Sequence, residues 1–165
     1  EVVLLDADLG LANVDVLLGL SPTRTLTDVI AGRCGLEDVL VTGPAGLRVV
    51  PAASGIQHMA ELSEHERAGL ITAFNQLERA ADFMVVDTAA GIAANTLDFC
   101  DASHEVLVVV TDDPASLTDA YATIKVLNQR SRRNRFRVLV NMAQDDQVAR
   151  KIYRRLLEVT DRYLD

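Results

Sequence analysis

Cysteine is scarce. Cys34 and Cys100 lie far apart and form no Cys-x-x-Cys or Cys/His spacing. That argues against a metal cluster or a disulfide framework and for ordinary reduced thiols in a cytoplasmic protein. Histidine is as thin. His58, His65 and His104 sit in unrelated polar surroundings, with neither His-x-His nor His-Glu-x-x-His. Gly-x-Ser-x-Gly is absent too, so no Ser/His/Asp hydrolase is indicated. The lysines are Lys125 and Lys151 only, and neither follows glycine. The phosphate-binding pattern Gly-x-x-x-x-Gly-Lys-Ser/Thr therefore occurs nowhere in the chain. No apolar run is long enough to cross a bilayer, and no stretch reads as a signal peptide. Repeats, low-complexity tracts and linkers are lacking as well.

What is present reads as one α/β domain over residues 1–165, long enough for a sizeable core. The hydrophobic fraction of 49% comes mostly from Val, Leu, Ile and Ala. The net charge of −8 argues against a general nucleic-acid coat. It leaves room for a local basic patch at Arg130, Arg132, Arg133, Arg135 and Arg137. These arginines read either as a binding surface or as solvated cations near a helix C-terminus, where the dipole favours them. The chain opens on Glu1 almost directly in a strand and ends at Asp165 in a polar helical stretch. Both ends are expected to be cuts in a longer protein.

Strands alternate with helices. The strand candidates are Val2–Leu5, Leu47–Val50, Phe83–Val86, Val106–Val110 and Phe136–Val140. Three of them run without polar alternation, which predicts parallel strands covered on both faces. Ser63 with Glu66 makes a capping box ahead of Leu70, Ile71, Phe74 and Leu77. Asp113-Pro114 is an N-cap followed by proline at the first helical position, with Leu117, Tyr121, Ile124, Val126 and Leu127 as the buried stripe. Thr25 caps a short helix that Gly32 stops. The last helix, about Asp145 to Tyr163, buries Ile152, Leu156, Val159 and Tyr163 and shows Arg150, Lys151, Arg154 and Arg155 to solvent. The order predicts one doubly wound, mainly parallel sheet with helices on both faces.

Three places carry candidate chemistry. Asp6 and Asp8 follow the first apolar run, and Gly10 breaks the pattern behind them. Carboxylates at a strand end can hold a metal-bound water or orient an attacking one; equally, they can cap and turn the chain into the next helix. Asp87 ends Phe83-Met84-Val85-Val86 and precedes Thr88-Ala89-Ala90-Gly91. Apolar residues ending in an acid describe a Walker B element, whose Asp supports Mg²⁺, and also many ordinary strand ends. Asn141 follows Phe136–Val140. Its amide offers donor and acceptor together to a base edge, or forms an Asx turn.

The stretch Asp6-Ala7-Asp8-Leu9-Gly10-Leu11-Ala12-Asn13-Val14-Asp15 resembles the switch I segment of MinD/ParA-type P-loop ATPases, and most of all their FlhG-type flagellar-number regulators. Leu17–Leu20, Leu47–Ala52, Asp87–Ile92, Pro114 with Ser116–Tyr121, and Val140-Asn141-Met142 fit the same family in order. The resemblance implies ATP and Mg²⁺ as cofactors. Asp8 would position the attacking water, and Asp6 would support the Mg²⁺ shell and the phosphate-binding lysine. Asp87 would hold Mg²⁺ through water. Asn13 would belong to the nucleotide site, Gly91 would let switch II sense the γ-phosphate, and Asn141 would contact adenine. It also implies an ATP-driven homodimer as the signalling state, ended by hydrolysis. The implied partners are an SRP-type flagellar GTPase or a flagellar transcriptional activator, with no specific nucleic acid. The implied location is the inner membrane or cell pole, reached through a C-terminal helix outside this chain. The sequence departs from the family in lacking the phosphate loop, which the family carries on a central strand; without that strand two sheet edges are expected to go unpaired. Ala93 stands where MinD has a glutamate after switch II. Two other readings stay open: a nucleotide-free interaction module or fragment, and a ParA-type DNA-partition ATPase.

Overall fold

The computed structural model describes residues 1–9, 11–52, 62–77 and 81–163. Gly10, and the side chain of Tyr163, lie outside the described residues. The chain forms two compact units, residues 1–89 and 90–165.

In the first unit β1 (Val2–Ala7) is central. It pairs in parallel with β3 (Arg48–Val50) on one side and β4 (Phe83–Thr88) on the other. A two-residue strand, β2 (Val41–Thr42), adds antiparallel to β3 and completes the order β2-β3-β1-β4. Val3, Leu5 and Ala7 of β1 are buried, as an inner parallel strand requires. β1 and β4 each run beyond their apolar residues, so Asp6 and Asp87 lie inside strands rather than after them. Sequence periodicity misses β2 because two residues carry no pattern. Its return to β3 is closed by the Gly43 N–H donating to the Leu47 carbonyl at 2.7 Å, through a turn in which Ala45 has φ +53°.

The short helices α1 (Val14–Leu17) and α2 (Leu26–Ile30) follow β1. Beyond α2, Gly32 takes φ +68°, a conformation glycine adopts without strain, and the helix stops there as its position predicts. The helix α3 (Glu64–Leu77) opens with the expected reciprocal cap: the Ser63 N–H donates to Glu66 Oε2 at 2.8 Å, and the Glu66 N–H donates to Ser63 Oγ at 3.3 Å. Leu70, Phe74 and Leu77 are buried, while Ile71 is half-buried.

The second unit contains α4 (Ala94–Ala102), β5 (Leu107–Val110), α5 (Pro114–Ser131), β6 (Arg137–Val140) and α6 (Asp146–Tyr163). β5 and β6 pair in parallel. One core joins Leu97 of α4, Val108 and Val110 of β5, Ala120, Ile124 and Leu127 of α5, and Ile152 and Leu156 of α6. Val159, expected in this core, is 39% exposed and lies off the buried stripe of α6. α5 starts as its sequence predicts. Asp113 Oδ1 accepts the Ala115 N–H at 2.9 Å, and Pro114 occupies the first turn. Asp113→Ala should therefore cost about 1 kcal/mol of stability by urea unfolding, the usual worth of an N-cap.

The predicted α/β class with mainly parallel pairing stands. The described strands pair as a four-stranded and a two-stranded sheet, each within its own unit. β4 uses one edge, on β1, and β5 uses one edge, on β6; among the described residues nothing pairs with their other edges. Among the described residues, β4, β5 and β6 keep one face open. Phe83, Val85, Leu107, Val109 and Leu139 are exposed at alternate positions. In the second unit the reason is that α4, α5 and α6 all pack on the face that carries Val108 and Val110.

Candidate functional site

The carboxyl end of the first unit's parallel sheet gathers three carboxylates. Register places Asp6 directly beside Asp87 on the neighbouring strand, and Ala7 beside Thr88. Asp8 follows two residues after Asp6, just past the end of β1. Outside the carboxyl ends of parallel strands is where α/β sheets bind ligands.

The three differ in surroundings. Asp6 is 1% exposed, and its Oδ2 accepts the backbone N–H groups of Asn13 at 2.9 Å and Val14 at 3.0 Å. It thereby caps α1, whose N-cap residue Asn13 makes no side-chain cap bond. Asp8 is half-buried. Its Oδ1 accepts the Leu11 N–H at 3.2 Å, and its own carbonyl accepts the same N–H at 3.1 Å. Both are the cap-and-turn geometry the sequence left open. Asp87 is the outermost of the three and exposed. Its carboxyl is pushed above the ordinary range, first by partial desolvation at the strand end and then by the charges of Asp6 and Asp8. A cation set here would remove that repulsion. Among the described residues no group of three acidic, imidazole or thiol side chains converges as a ligand set for a bare metal ion.

Asn13 contributes its backbone N–H to Asp6, and its side chain is exposed. Around the same loop Leu11, Val16 and Leu17 are largely exposed, an apolar rim that the motif pattern does not announce.

Gly91 and Asn141 belong to the second unit. Gly91 has φ +89°, and its carbonyl accepts the Thr123 hydroxyl at 3.4 Å. No neighbouring atom would obstruct a side chain there, so the backbone conformation alone calls for glycine. Asn141 follows β6. Its N–H donates to the Val110 carbonyl at 2.8 Å, and its Oδ1 accepts the Met142 N–H at 2.9 Å. The Oδ1 thus engages the backbone of the next residue, and the Nδ2 group keeps its N–H donors for a ligand.

Most of the arginine cluster is occupied within its own unit. Arg130 pairs with Asp98 and Asp101. Arg133 donates to the carbonyls of Ser103 at 2.6 Å and His104 at 3.3 Å, just past the C-terminus of α4. Arg137 makes a forked pair with Glu105 at 2.6 and 2.8 Å, which holds that carboxyl below its ordinary range. Sequence spacing does not reveal these pairs, whose partners lie about thirty residues earlier.

No protein-family model matches the chain. Among curated proteins it is 59% identical over 165 residues to the antiactivator FleN of Pseudomonas aeruginosa, covering all of this chain and 59% of that protein. It is 34% identical over 154 residues to the flagellum site-determining protein YlxH of Helicobacter pylori, covering 93% of this chain and 52% of that one. The chain thus spans little more than half the length of the relatives it matches. Among solved structures, the septum site-determining protein MinD of Pyrococcus horikoshii, complexed with Mg-ADP, superposes with a TM-score of 0.71 at 22% identity, over 92% of this chain and 64% of that one. The solved structure shares the mixed α/β fold, and 59% identity to FleN along the whole of this chain places it in the MinD/ParA family, as a homologue of the FleN/FlhG proteins.

Proposed function

We propose that the protein carrying this chain is an ATP-dependent regulator of flagellar number and placement, which hydrolyses ATP with Mg²⁺ as a homodimer. The observation that supports this best is the register that sets Asp6 against Asp87 with Asp8 one step beyond. It gathers three acids at one end of a sheet, in a chain 59% identical to the antiactivator FleN.

The residues fit the group. Asp87 and Asp8 would hold Mg²⁺ through its water, and the ion would supply positive charge against the phosphates. Asp87 holds the ion's water shell from β4, where its exposed carboxylate gains a counter-charge. Asp8 orients the attacking water from the loop after β1, accepting a hydrogen bond from it in place of the one from Leu11. Asn13 borders the nucleotide from that same loop. Gly91 lets the segment after β4 follow the γ-phosphate, because its backbone already sits where only glycine moves freely. Asn141 offers its Nδ2 donor to adenine. The 165 residues contain no Gly-x-x-x-x-Gly-Lys-Ser/Thr, so the phosphate cradle itself is not among them.

The partner proposed from the antiactivator relationship is a flagellar transcriptional activator, with an SRP-type flagellar GTPase as the other candidate. The place of action proposed is the cytoplasmic side of the inner membrane or the cell pole. No helix among the described residues is long and apolar enough to cross a membrane. DNA partition finds less support, since Arg130, Arg133 and Arg137 are already engaged within the chain.

The test is phosphate release from ATP by the protein as its gene encodes it. Turnover should require Mg²⁺ and vanish with EDTA. Absence of both ATP binding and turnover would favour the nucleotide-free interaction-module reading instead.

A further inference from the structure

Asn13 and Val14 come back to the end of β1, where one carboxylate meets them. Asp6 Oδ2 takes two backbone N–H groups at once, those of Asn13 and Val14. Asp6 is 1% exposed, so water does not replace it as acceptor. The helix behind those amides, α1, has only four residues. A single turn is far below the length at which a helix stands on its own hydrogen bonds. Its side-chain cap comes from Asp6, on the neighbouring strand. Asp8 therefore lies between the end of β1 and the pair of amides held by Asp6. Between them its own carboxylate is lightly engaged. The Leu11 N–H that it accepts is accepted by the Asp8 carbonyl as well, so Asp8 can release it without orphaning a donor.

We infer that Asp6 is a positioning residue: it sets the place of the Asp8 carboxylate by clamping the Asn13 and Val14 amides, and what the site needs from it is an acceptor oxygen. This differs from a group that supports the metal shell, for which the negative charge itself is needed. The kinetic consequence rests on the ATPase reading above; the clamp does not.

Asparagine separates the two, because its carboxamide oxygen can take both N–H groups while the charge is gone. The experiment uses the protein as its gene encodes it, with Asp6→Asn and Asp6→Ala. It reads residue-resolved amide exchange together with kcat and KM for MgATP. In Asp6→Ala the Asn13 and Val14 amides should exchange at least about tenfold faster, the scale set by two buried donors losing their acceptor. kcat should fall by about tenfold or more while KM moves less than about threefold, since a displaced loop harms the chemical step more than ground-state binding. Asp6→Asn should restore most of the lost protection and most of the lost rate. Two results overturn the inference. One is an Asp6→Asn protein that keeps both amides protected yet is as slow as Asp6→Ala, which would assign the role to charge. The other is an Asn13 or Val14 amide that stays protected in Asp6→Ala. Should Asp6→Ala fail to fold, Asp6→Asn decides alone: loss of protection at those two amides sinks the clamp, and retention with restored turnover supports it. Should the unsubstituted protein not hydrolyse ATP, the ATPase reading fails and the exchange results still decide the clamp.

Discussion

Asp8→Ala is expected to lower ATP turnover by about a hundredfold to a thousandfold while leaving ATP affinity within about threefold, the pattern of a group that acts on the attacking water in the transition state. The structure makes this substitution clean. Asp8 is half-buried rather than part of the core, and the one backbone N–H that its side chain accepts keeps a second acceptor in the Asp8 carbonyl. Loss of turnover would therefore not reflect a collapsed loop. Single-turnover phosphate release and equilibrium binding of an ATP analogue, measured on the same preparation, separate the two quantities. Turnover that survives within threefold would remove Asp8 from the role proposed for it.

The largest expected effect on stability lies in the second unit. Leu127 is fully buried, in a core shared with β5, α4 and α6. Leu127→Ala should destabilise that unit by about 2–5 kcal/mol, because a leucine's worth of contacts is lost and a densely packed site collapses only in part. Val159→Ala on α6 provides the contrast. At 39% exposure it should cost less than about 0.5 kcal/mol, the usual range for surface changes. Urea unfolding of both variants, followed by far-ultraviolet circular dichroism, checks the pair. A small effect at Leu127 would mean that this core packs loosely.

How much of this was legible depended on whether the signal was local. Caps were. Ser63 with Glu66, and Asp113 with Pro114, stand where their helices begin, because a cap is a contact between residues two or three apart. The strand positions were legible too, from apolar runs bounded by turn residues. The lengths of β1 and β4 were not. Pairing carries each strand through its aspartate, and pairing is a property of two segments some eighty residues apart. β2 escaped because two residues make no period. Val159 was assigned to the core because apolar spacing at three and four residues fits more than one stripe of a long helix, and only packing chooses between them.

At the candidate site, the residue types and their approach to one sheet edge could be read from two acidic strand ends. Which carboxylate faces inward could not. The sequence treats Asp6 and Asp8 alike, yet one is buried and bonded to two amides while the other lies at the surface of a turn. That distinction depends on where Asn13 and Val14 return, and no spacing rule encodes it. Asn141 is open between a ligand amide and a turn former; its Oδ1 accepts the Met142 N–H, and its Nδ2 donors are left to a ligand.

The alternate exposed residues of β4, β5 and β6 bear on how copies of this chain meet one another. A strand with one bare apolar face and a free edge is ordinarily sticky, since it offers both backbone partners and greasy side chains to whatever arrives. Among the described residues, Phe83, Val85, Leu107 and Val109 are such side chains. The surplus of 24 acidic over 16 basic residues opposes it by giving every copy the same sign. Colloidal behaviour is thus set by a contest between surface tack and mutual repulsion. Dissolved salt weakens only the repulsion, so ionic strength decides how far apart the molecules stay.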